Sequence, residues 1–591
     1  MRDAAKLAVR ELFDVLEAHG VKEIICSPGS RNVPLMIAAE ARRSLRKTIV
    51  VDERSAAFVA VGISQLQKQP VALICTSGSA VLNYAPAVAE AFYQGLPLII
   101  LSADRPKEWI DQDDSQTIHQ EGVLNNIVKA SYDIADNEVT EERRWYANRI
   151  FNEAVLTAQR PKEGPVHINI RLSPPLEEQI EVADSEQPAQ SPLKCRLIER
   201  WDFPTLPLRA ESSALARRLI NKKVMLVVGF MSPDSVVNNH LRKFASHSNV
   251  CIMAETLSNL HLKAESYVID GALCKRNEWT PERTEKLAPD IVISIGGALV
   301  SRMLKEYLRG CAAANPKMEH WAFGAQDILV DPFKALTLKF EMLPVPLLGQ
   351  VSAELAHIKK HGVKTPDGIE KIELDAECEA YQANWDEVKK AGHDRIARAA
   401  SEAQWSELAA YSAIFSFMPK FVNLQLSNGA AVRYNQILTR QIPHSIFCNR
   451  GVSGIDGSTS TAVGNSIGSE IPAVLITGDM SASYDLSGLL SAASLNSGLK
   501  IIVINNSGGG IFRFIKSTRG WEEREKYIGL SDRSTPFKGL AESFGFSYFR
   551  ADSHKELSIH LKSFFSESGR GLLEVFVPAE ESAEILQRLL S

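Results

Sequence analysis

The sequence lacks the features that would tie it to a membrane, a nucleic acid or an oxidising compartment. Across 591 residues no apolar run approaches the ~18 residues that a bilayer-spanning helix requires. A formal net charge of −5 leaves no electrostatic basis for binding nucleic acid or an anionic surface. The eight cysteines are scattered with no Cys-x-x-Cys pair, so they read as reduced, mostly buried thiols. The histidines show no paired metal-ligand spacing, and His119 alone lies near a polar motif of interest. No glycine-rich dinucleotide fingerprint is present. The opening MRDAAKLAVRELFDVLEAHG carries acids through its apolar part, which excludes a secretory signal. It reads instead as an amphipathic helix with Val9, Leu12, Phe13 and Leu16 on one face. A cytoplasmic protein is expected, with neither nucleic-acid binding nor integral membrane association.

What is present is a repeated alternation of strands and helices. At ~100–200 residues per domain a chain of this length holds several. Two acidic or proline-containing stretches, 173–207 and 361–377, read as linkers, giving domains at 1–180, 205–355 and 380–591. The first has apolar runs at 23–26, 48–51, 71–75 and 98–101, followed by the polar loops SPGSRN, DERS, TSGSA and SADRP, with a further run at 166–170. The second has runs at 224–228, 251–254 and 291–295. After the last of these, Gly296-Gly297 reads equally as a plain turn or a ligand loop. The third has runs at 421–424, 445–447, 473–476, 501–504 and 572–577. Strands separated by helices pair in parallel, so the expected fold class is α/β, with three doubly wound parallel-sheet domains. Loops that follow parallel strands gather at one sheet edge, where ligands bind.

The stretch from Thr477 to Phe512 carries the clearest chemistry. Gly478-Asp479 ends one strand and Asn505-Asn506 ends the next, with 481–504 long enough for one crossover helix. A carboxylate, an amide oxygen and a loop carbonyl are hard ligands that suit Mg²⁺, which commonly accompanies phosphate. The glycines after Asn506 allow backbone to approach a ligand closely. Glu53 follows the expected strand 48–51; on position alone it reads equally as a helix-N-terminal acid favoured by the dipole. Ser30 and Arg31 lie in SPGSRN, Arg105 in SADRP, and Ser115 and Gln116 in DDSQTIHQ. An isolated loop arginine is usually a solvated charge. Here two follow strands that open on the same edge as Glu53, and arginine grips carboxylates bidentately. A multiply carboxylated substrate accounts for that grouping. Ile455 in RGVSGIDG, and Ile511, Phe512 and Ile515 after the glycine loop, read as core or as apolar pocket wall.

Gly478-Asp479 with Asn505-Asn506 resembles the thiamine-diphosphate signature, with Met480 where the third glycine usually stands. The ordered set SPGSRNVPL, VDERSAAFVAVG, TSGSAVLNYAPAVAEA, LSADRP, DSQTIHQ, NRGVSGIDG and NNSGGGIF is more specific. Together these motifs resemble the 2-succinyl-5-enolpyruvyl-6-hydroxy-3-cyclohexene-1-carboxylate synthase family of the menaquinone pathway. The resemblance runs from near residue 5 to the C-terminus and is weakest in the middle third. A substituted third position is a mark of that family, so Met480 fits it.

The resemblance implies domains of the thiamine-diphosphate decarboxylase and carboligase type: pyrimidine-binding, transhydrogenase-like and pyrophosphate-binding. It implies thiamine diphosphate with Mg²⁺ (or Mn²⁺) held by Asp479, Asn506 and the Gly508 carbonyl. Glu53 would activate the cofactor. Asn428, Ile455, Gly478, Met480 and Ser481 would contact it, with Ile455 supporting its bent shape. The implied reaction is decarboxylation of 2-oxoglutarate and Stetter-like 1,4-addition of the four-carbon unit to isochorismate. Arg433 and Arg450 are implied for the oxoglutarate carboxylate. Arg31, Arg105 and Arg302, with Ser30, Ser115 and Gln116, are implied for isochorismate, and Ile511, Phe512 and Ile515 for apolar contacts. A homodimer or dimer of dimers follows, because such sites draw their halves from different subunits. The chain departs from the family at Ser427-Asn428-Gly429, where Gly-Asn-Ser is usual, and at Ser301, where a basic residue precedes Arg302. Two other readings are another thiamine-diphosphate enzyme, such as an acetolactate synthase, and a non-catalytic binding protein of the same fold.

Overall fold

Runs such as EIIC, VALIC and LIILSAD are buried at every position, as expected for strands covered by helices on both faces. A computed structural model describes residues 7–135, 140–176, 195–201, 207–324, 328–365, 368–438, 441–529 and 537–590. It contains three parallel sheets with helices between the strands. The first comprises Glu23–Cys26, Arg46–Ile49, Val71–Cys75, Leu98–Asp104, Ser131–Ala135 and Val166–Arg171. Counted along the chain, their spatial order is second, first, third, fourth, sixth, fifth.

The last sheet repeats that order with Asn423–Leu426, Ser445–Cys448, Ala473–Gly478, Lys500–Asn505, Ser547–Ala551 and Gly571–Phe576. The middle sheet orders Val224–Val228, Val250–Ala254, Ile291–Ile295, Glu319–Phe323 and Leu336–Phe340 as second, first, third, fourth, fifth. In each sheet the direction of winding reverses between the first and third strands, and that switch point is where a parallel sheet opens a crevice.

Four strands have no counterpart in the sequence expectation: Ser131–Ala135, Glu319–Phe323, Leu336–Phe340 and Ser547–Ala551. Three of them lie at sheet edges, where one side of the strand is exposed and no continuous apolar run is required. Two expected strands shift. Arg46–Ile49 precedes the 48–51 run, leaving Val51 73% exposed. Asn423–Leu426 follows the 421–424 run, leaving Phe421 77% exposed. The expected single crossover helix is two, Asp479–Tyr484 and Ser487–Ser494, separated at buried Asp485. The expected linker 361–377 contains a small antiparallel hairpin, Val363–Thr365 with Gly368–Glu370; residues 366–367 lie outside the described residues. Of the expected linker 173–207, residues 177–194 and 202–206 lie outside them too. The expected opening helix is found as Leu7–Ala18 with its apolar face buried; residues 1–6 lie outside the described residues.

The first and last domains share one core. Ala57, Val59 and Ile63 of helix Glu53–Gln67 cluster with Ala462, Val463 and Leu475. The helix Ser458–Ile467 meets Glu53–Gln67 backbone to backbone. A Cβ on Gly62 would lie 2.1 Å from the Thr461 carbonyl, and one on Gly464 2.1 Å from the Val59 carbonyl. The middle domain joins the last through Leu257, Tyr267, Val268 and Val300, which pack with Leu408, Leu424 and Ile446.

Candidate cofactor and substrate site

Strand Ala473–Gly478 delivers Asp479 to the first position of a short helix, where it is 2% exposed. Its Oδ1 accepts the Met480 N–H at 2.7 Å and its Oδ2 the Gly508 N–H at 2.8 Å. Burial raises its pKa to about 6 against those two N–H groups; Glu407 raises it further and Arg513 opposes. Strand Lys500–Asn505 delivers Asn506, whose Nδ2 donates to Glu407 while its buried Oδ1 has no partner. An unsatisfied buried acceptor costs about 1–3 kcal/mol. Gly508 takes φ +138°, and a Cβ there would meet the Ile528 carbonyl at 2.1 Å, so the turn accepts only glycine. Buried Arg513 ties the loop down, donating to the Asn506 carbonyl at 3.2 Å and pairing with Glu525 at 2.7 Å.

An orphaned amide oxygen beside a desolvated carboxylate, at a glycine turn, is a donor set that a hard divalent cation completes. The residues therefore fit the Mg²⁺ expected from the sequence. No group of three His, Cys, Asp or Glu side chains forms a metal centre among the described residues. Gly478 has nothing within 4 Å of a would-be Cβ and lines the open side. Met480, next in sequence, and Ile455, from a preceding loop, are half-buried, and the Ser481 hydroxyl donates to the Ile455 carbonyl at 2.9 Å.

The crevice loop after the first strand of this sheet contributes Asn428. Its Nδ2 donates to the carbonyls of Asn449 and Gly454, both at 2.7 Å, and its Oδ1 accepts from Arg450 at 3.0 Å. The Arg450 Nε is buried without a partner. Arg433 donates to the Gly429 carbonyl at 2.6 Å, and burial followed by the nearby Arg450 charge lowers its pKa, with Asp270 opposing. Two like charges thus sit together, compensated from the middle domain. Glu255 there is 0% exposed and accepts the N–H groups of Val300 at 2.8 Å and Ser301 at 2.7 Å. Burial pushes it up to about 7. Burial also lowers the Lys305 pKa, which Glu255 raises and Arg450 lowers further. Ser301 caps helix Arg302–Ala314 and donates to Asp270, which gives this departure from the family a structural role. The Arg302 side chain is 85% exposed and pairs with Glu306 at 2.8 Å.

On the first sheet, Asp52 caps helix Glu53–Gln67 and places Glu53 at its first position. Glu53 is half-exposed, accepts from Asn83 at 3.4 Å and is close enough to raise the pKa values of buried Cys75 and Tyr84. Arg31 is buried and donates to the Leu172 carbonyl at 3.0 Å, with Ser30 exposed beside it. Arg105 donates to the Ser115 carbonyl at 2.8 Å and pairs with Asp114 at 2.8 Å. It thereby folds exposed Ser115 and Gln116 over the TSGSA loop, where a Cβ on Gly78 would come within 3.2 Å of Gln116. His119 instead pairs with Asp111 at 2.9 Å, largely exposed. Ile511 and Phe512 occupy the short helix Gly510–Phe514 and Ile515 ends it, all half-buried.

The structure brings together Arg105, Ser115 and Gln116 on one sheet, and Asn428, Arg433, Arg450, Asp479 and Asn506 on the other. Arg302, paired with Glu306 and turned to solvent, joins neither group among the described residues. Sequence reasoning missed Glu407, Arg513, Glu255, Asp270 and Lys305. Glu407 meets Asn506 across 99 positions, and no local pattern encodes such a pairing.

Comparison with known proteins adds an independent observation. Residues 8–123 match the family described as "Thiamine pyrophosphate enzyme, N-terminal TPP binding domain", and residues 428–575 its C-terminal counterpart. The chain is 35% identical over 584 residues to the 2-succinyl-5-enolpyruvyl-6-hydroxy-3-cyclohexene-1-carboxylate synthase of Porphyromonas gingivalis, covering 98% of this chain and 96% of that protein. It is 33% identical over 591 residues to the synthase of the same name from Bacteroides thetaiotaomicron, covering 98% of each. For the Christiangramia forsetii synthase the identity is 34% over 598 residues, covering 98% and 97%.

Proposed function

The chain belongs to the 2-succinyl-5-enolpyruvyl-6-hydroxy-3-cyclohexene-1-carboxylate synthase family, and on that premise we propose that it catalyses the family's reaction. It takes 2-oxoglutarate and isochorismate, releases CO₂ and joins the remaining four-carbon unit to isochorismate. The observation that carries this reading is the donor set of buried Asp479, the Asn506 Oδ1 without a partner among the described residues, and the Gly508 turn, with Arg433 and Arg450 on other loops of the same sheet edge.

Asp479, Asn506 and the Gly508 carbonyl hold Mg²⁺ (or Mn²⁺), and Gly478, Met480 and Ser481 shape the pyrophosphate side. When bound, thiamine diphosphate supplies the nucleophilic carbon and the electron sink for decarboxylation. Glu53 would hold a proton for the cofactor's aminopyrimidine. Ile455 would give it apolar support, in a loop pinned by Asn428. Arg433 and Arg450 bind the oxoglutarate carboxylate; burial first, and then the neighbouring Arg450 charge, disfavours the charged form of Arg433, and an arriving anion offsets both. Arg31, Arg105, Ser30, Ser115 and Gln116 bind isochorismate, and Arg302 joins them by leaving Glu306. Ile511, Phe512 and Ile515 exclude water. An acetolactate-type enzyme acting on pyruvate has no use for so many arginines.

The two half-sites come from different protomers, in a homodimer or dimer of dimers. Apolar side chains exposed near both half-sites support this: Ile49 at 51%, Val51 at 73% and Tyr93 at 59% on the first domain, and Val452 at 52% and Tyr484 at 58% on the last. Light scattering that returned a monomer at working concentration would contradict it. The protein acts in the cytoplasm; no helix among the described residues is long and apolar enough to cross a membrane, and its described cysteines are free. The deciding experiment is mass analysis of products from 2-oxoglutarate plus isochorismate, set against pyruvate alone. Product formed from pyruvate alone, and not from the pair, overturns the assignment.

A further inference from the structure

The loop that carries Arg450 and Ile455 is gripped at both ends by the first domain of the same chain. At its start, Glu90 of helix Ala85–Gln94 accepts the N–H groups of Gly451 at 2.6 Å and Val452 at 2.7 Å. Glu90 is 2% exposed, and Gln94 donates to its Oε1 at 2.5 Å. The approach leaves no slack: a Cβ on Gly451 would lie 2.5 Å from the Glu90 carbonyl. At its end, Arg54 donates through Nη1 to the Asp456 carbonyl. The same guanidinium reaches the Asp485 carboxylate at 3.4 Å and lies 5.5 Å from the centre of the Tyr484 ring. Asp485 is 0% exposed and accepts both the N–H of Ser460, at 2.7 Å, and its hydroxyl, at 2.9 Å. Arg54 therefore bridges the loop's exit to the start of the helix that follows it and to the helix that begins at Asp479.

Gly451 sits in the first grip, Gly454 between the two, and Gly457 just after the second. A loop so rich in glycine has much backbone freedom to lose when it is ordered. Charged partners that hold both ends remove most of that freedom before any ligand arrives, which is preorganisation. Charge-assisted hydrogen bonds are the strong class for this purpose. Neither Glu90 nor Arg54 touches a substrate or the cofactor in the mechanism above.

We propose that Glu90 and Arg54 are positioning residues that fix the 450–456 loop, so that Ile455 and Arg450 are in place when thiamine diphosphate and the oxoglutarate carboxylate bind. The inference rests on the proposed function for the identity of those ligands. The test uses Glu90→Gln and Arg54→Gln in the full chain. Thiamine-diphosphate affinity with Mg²⁺ is measured by titration calorimetry, and KM is measured for each substrate. Each variant is expected to bind the cofactor roughly tenfold more weakly and to raise KM for 2-oxoglutarate several-fold. KM for isochorismate should stay within about twofold, since Arg31 and Arg105 sit on a different loop set. Gly451→Ala, which pushes the loop off Glu90 from the opposite side, should give the same pattern and serves if a charge variant fails to fold. Folded variants with wild-type cofactor affinity and wild-type KM values overturn the proposal, even if their melting temperature falls. A wild-type chain that binds thiamine diphosphate yet forms no product from the two substrates refutes the proposed function instead, and the calorimetric comparison still decides the clamp.

Discussion

The first and last sheets share one strand order, yet their ligand edges differ in burial. On the last sheet the edge is desolvated: Asp479, Asn506 and Asn428 are 2%, 6% and 8% exposed. On the first sheet Glu53, Ser30, Ser115 and Gln116 are half-exposed or exposed. Topology puts polar groups at the same places, after the first four strands of each sheet; burial then decides what each can do. A desolvated carboxylate with an unsatisfied amide beside it holds a cation strongly, because low polarity strengthens every charge interaction.

The largest expected effect separates activation from binding. Glu53→Gln should lower turnover by roughly 10²–10⁴-fold, the range for losing a general acid–base group. Cofactor affinity and melting temperature should stay near wild type, and near-normal steady-state turnover would erase the distinction between the sheets. On the other edge, Asp479→Ala should abolish Mg²⁺-dependent cofactor binding in calorimetry, as should chelation of the metal in the wild type. Glu407→Gln, which reaches the site through the Asn506 amide and through its charge beside Asp479, should weaken binding about 10–100-fold, the usual cost of losing an outer partner.

A smaller effect tests the seam between the two domains. Gly62→Val would drive a side chain into the Thr461 carbonyl, and overpacking of this kind costs about 1–3 kcal/mol. A drop of several degrees in melting temperature is expected, and none at all would mean that the two helices do not pack as described. A pH-dependent effect concerns the middle sheet, whose domain packs against the last one. Glu255 is raised to about 7 by burial, so the folded state holds its proton more tightly than the unfolded chain does. Its stabilising contribution is full below the ordinary glutamate range, near pH ~4.5, and is lost as pH rises to about 7, by at most about 1.4 kcal/mol per pH unit. Glu255→Gln should flatten that fall in melting temperature between pH 5 and 7; an unchanged slope would remove Glu255 as its source.

Buried central strands were legible because both their faces are covered: Glu23–Cys26, Val71–Cys75, Val224–Val228 and Ile291–Ile295 have the bounds read from their apolar runs. Strands with a wet face were not, since Ser131–Ala135 and Ser547–Ala551 mix exposed and buried positions. Arg46–Ile49 was displaced because parallel pairing with Glu23–Cys26, not local hydrophobicity, sets its register. The motif residues of the candidate site were legible as motifs. Their partners were not: Glu255 and Glu407 sit in segments with no signature, Glu90 lies within TSGSAVLNYAPAVAEA but nothing there marks its partner, and all three meet the site across long stretches of chain.

Sequence alone determined the α/β class, the family and the residue types of the site, because apolar runs, glycine turns and an Asp–Asn spacing are local. Tertiary structure decided the rest. It left Asn506 with an empty acceptor, turned Arg302 to solvent and Glu306, set Lys305 beside the Arg450 charge, and put the loop holding Ile455 in the grip of Glu90 and Arg54. The physical reason is that desolvation and charge pairing depend on what surrounds a side chain in space, and distant segments supply those surroundings.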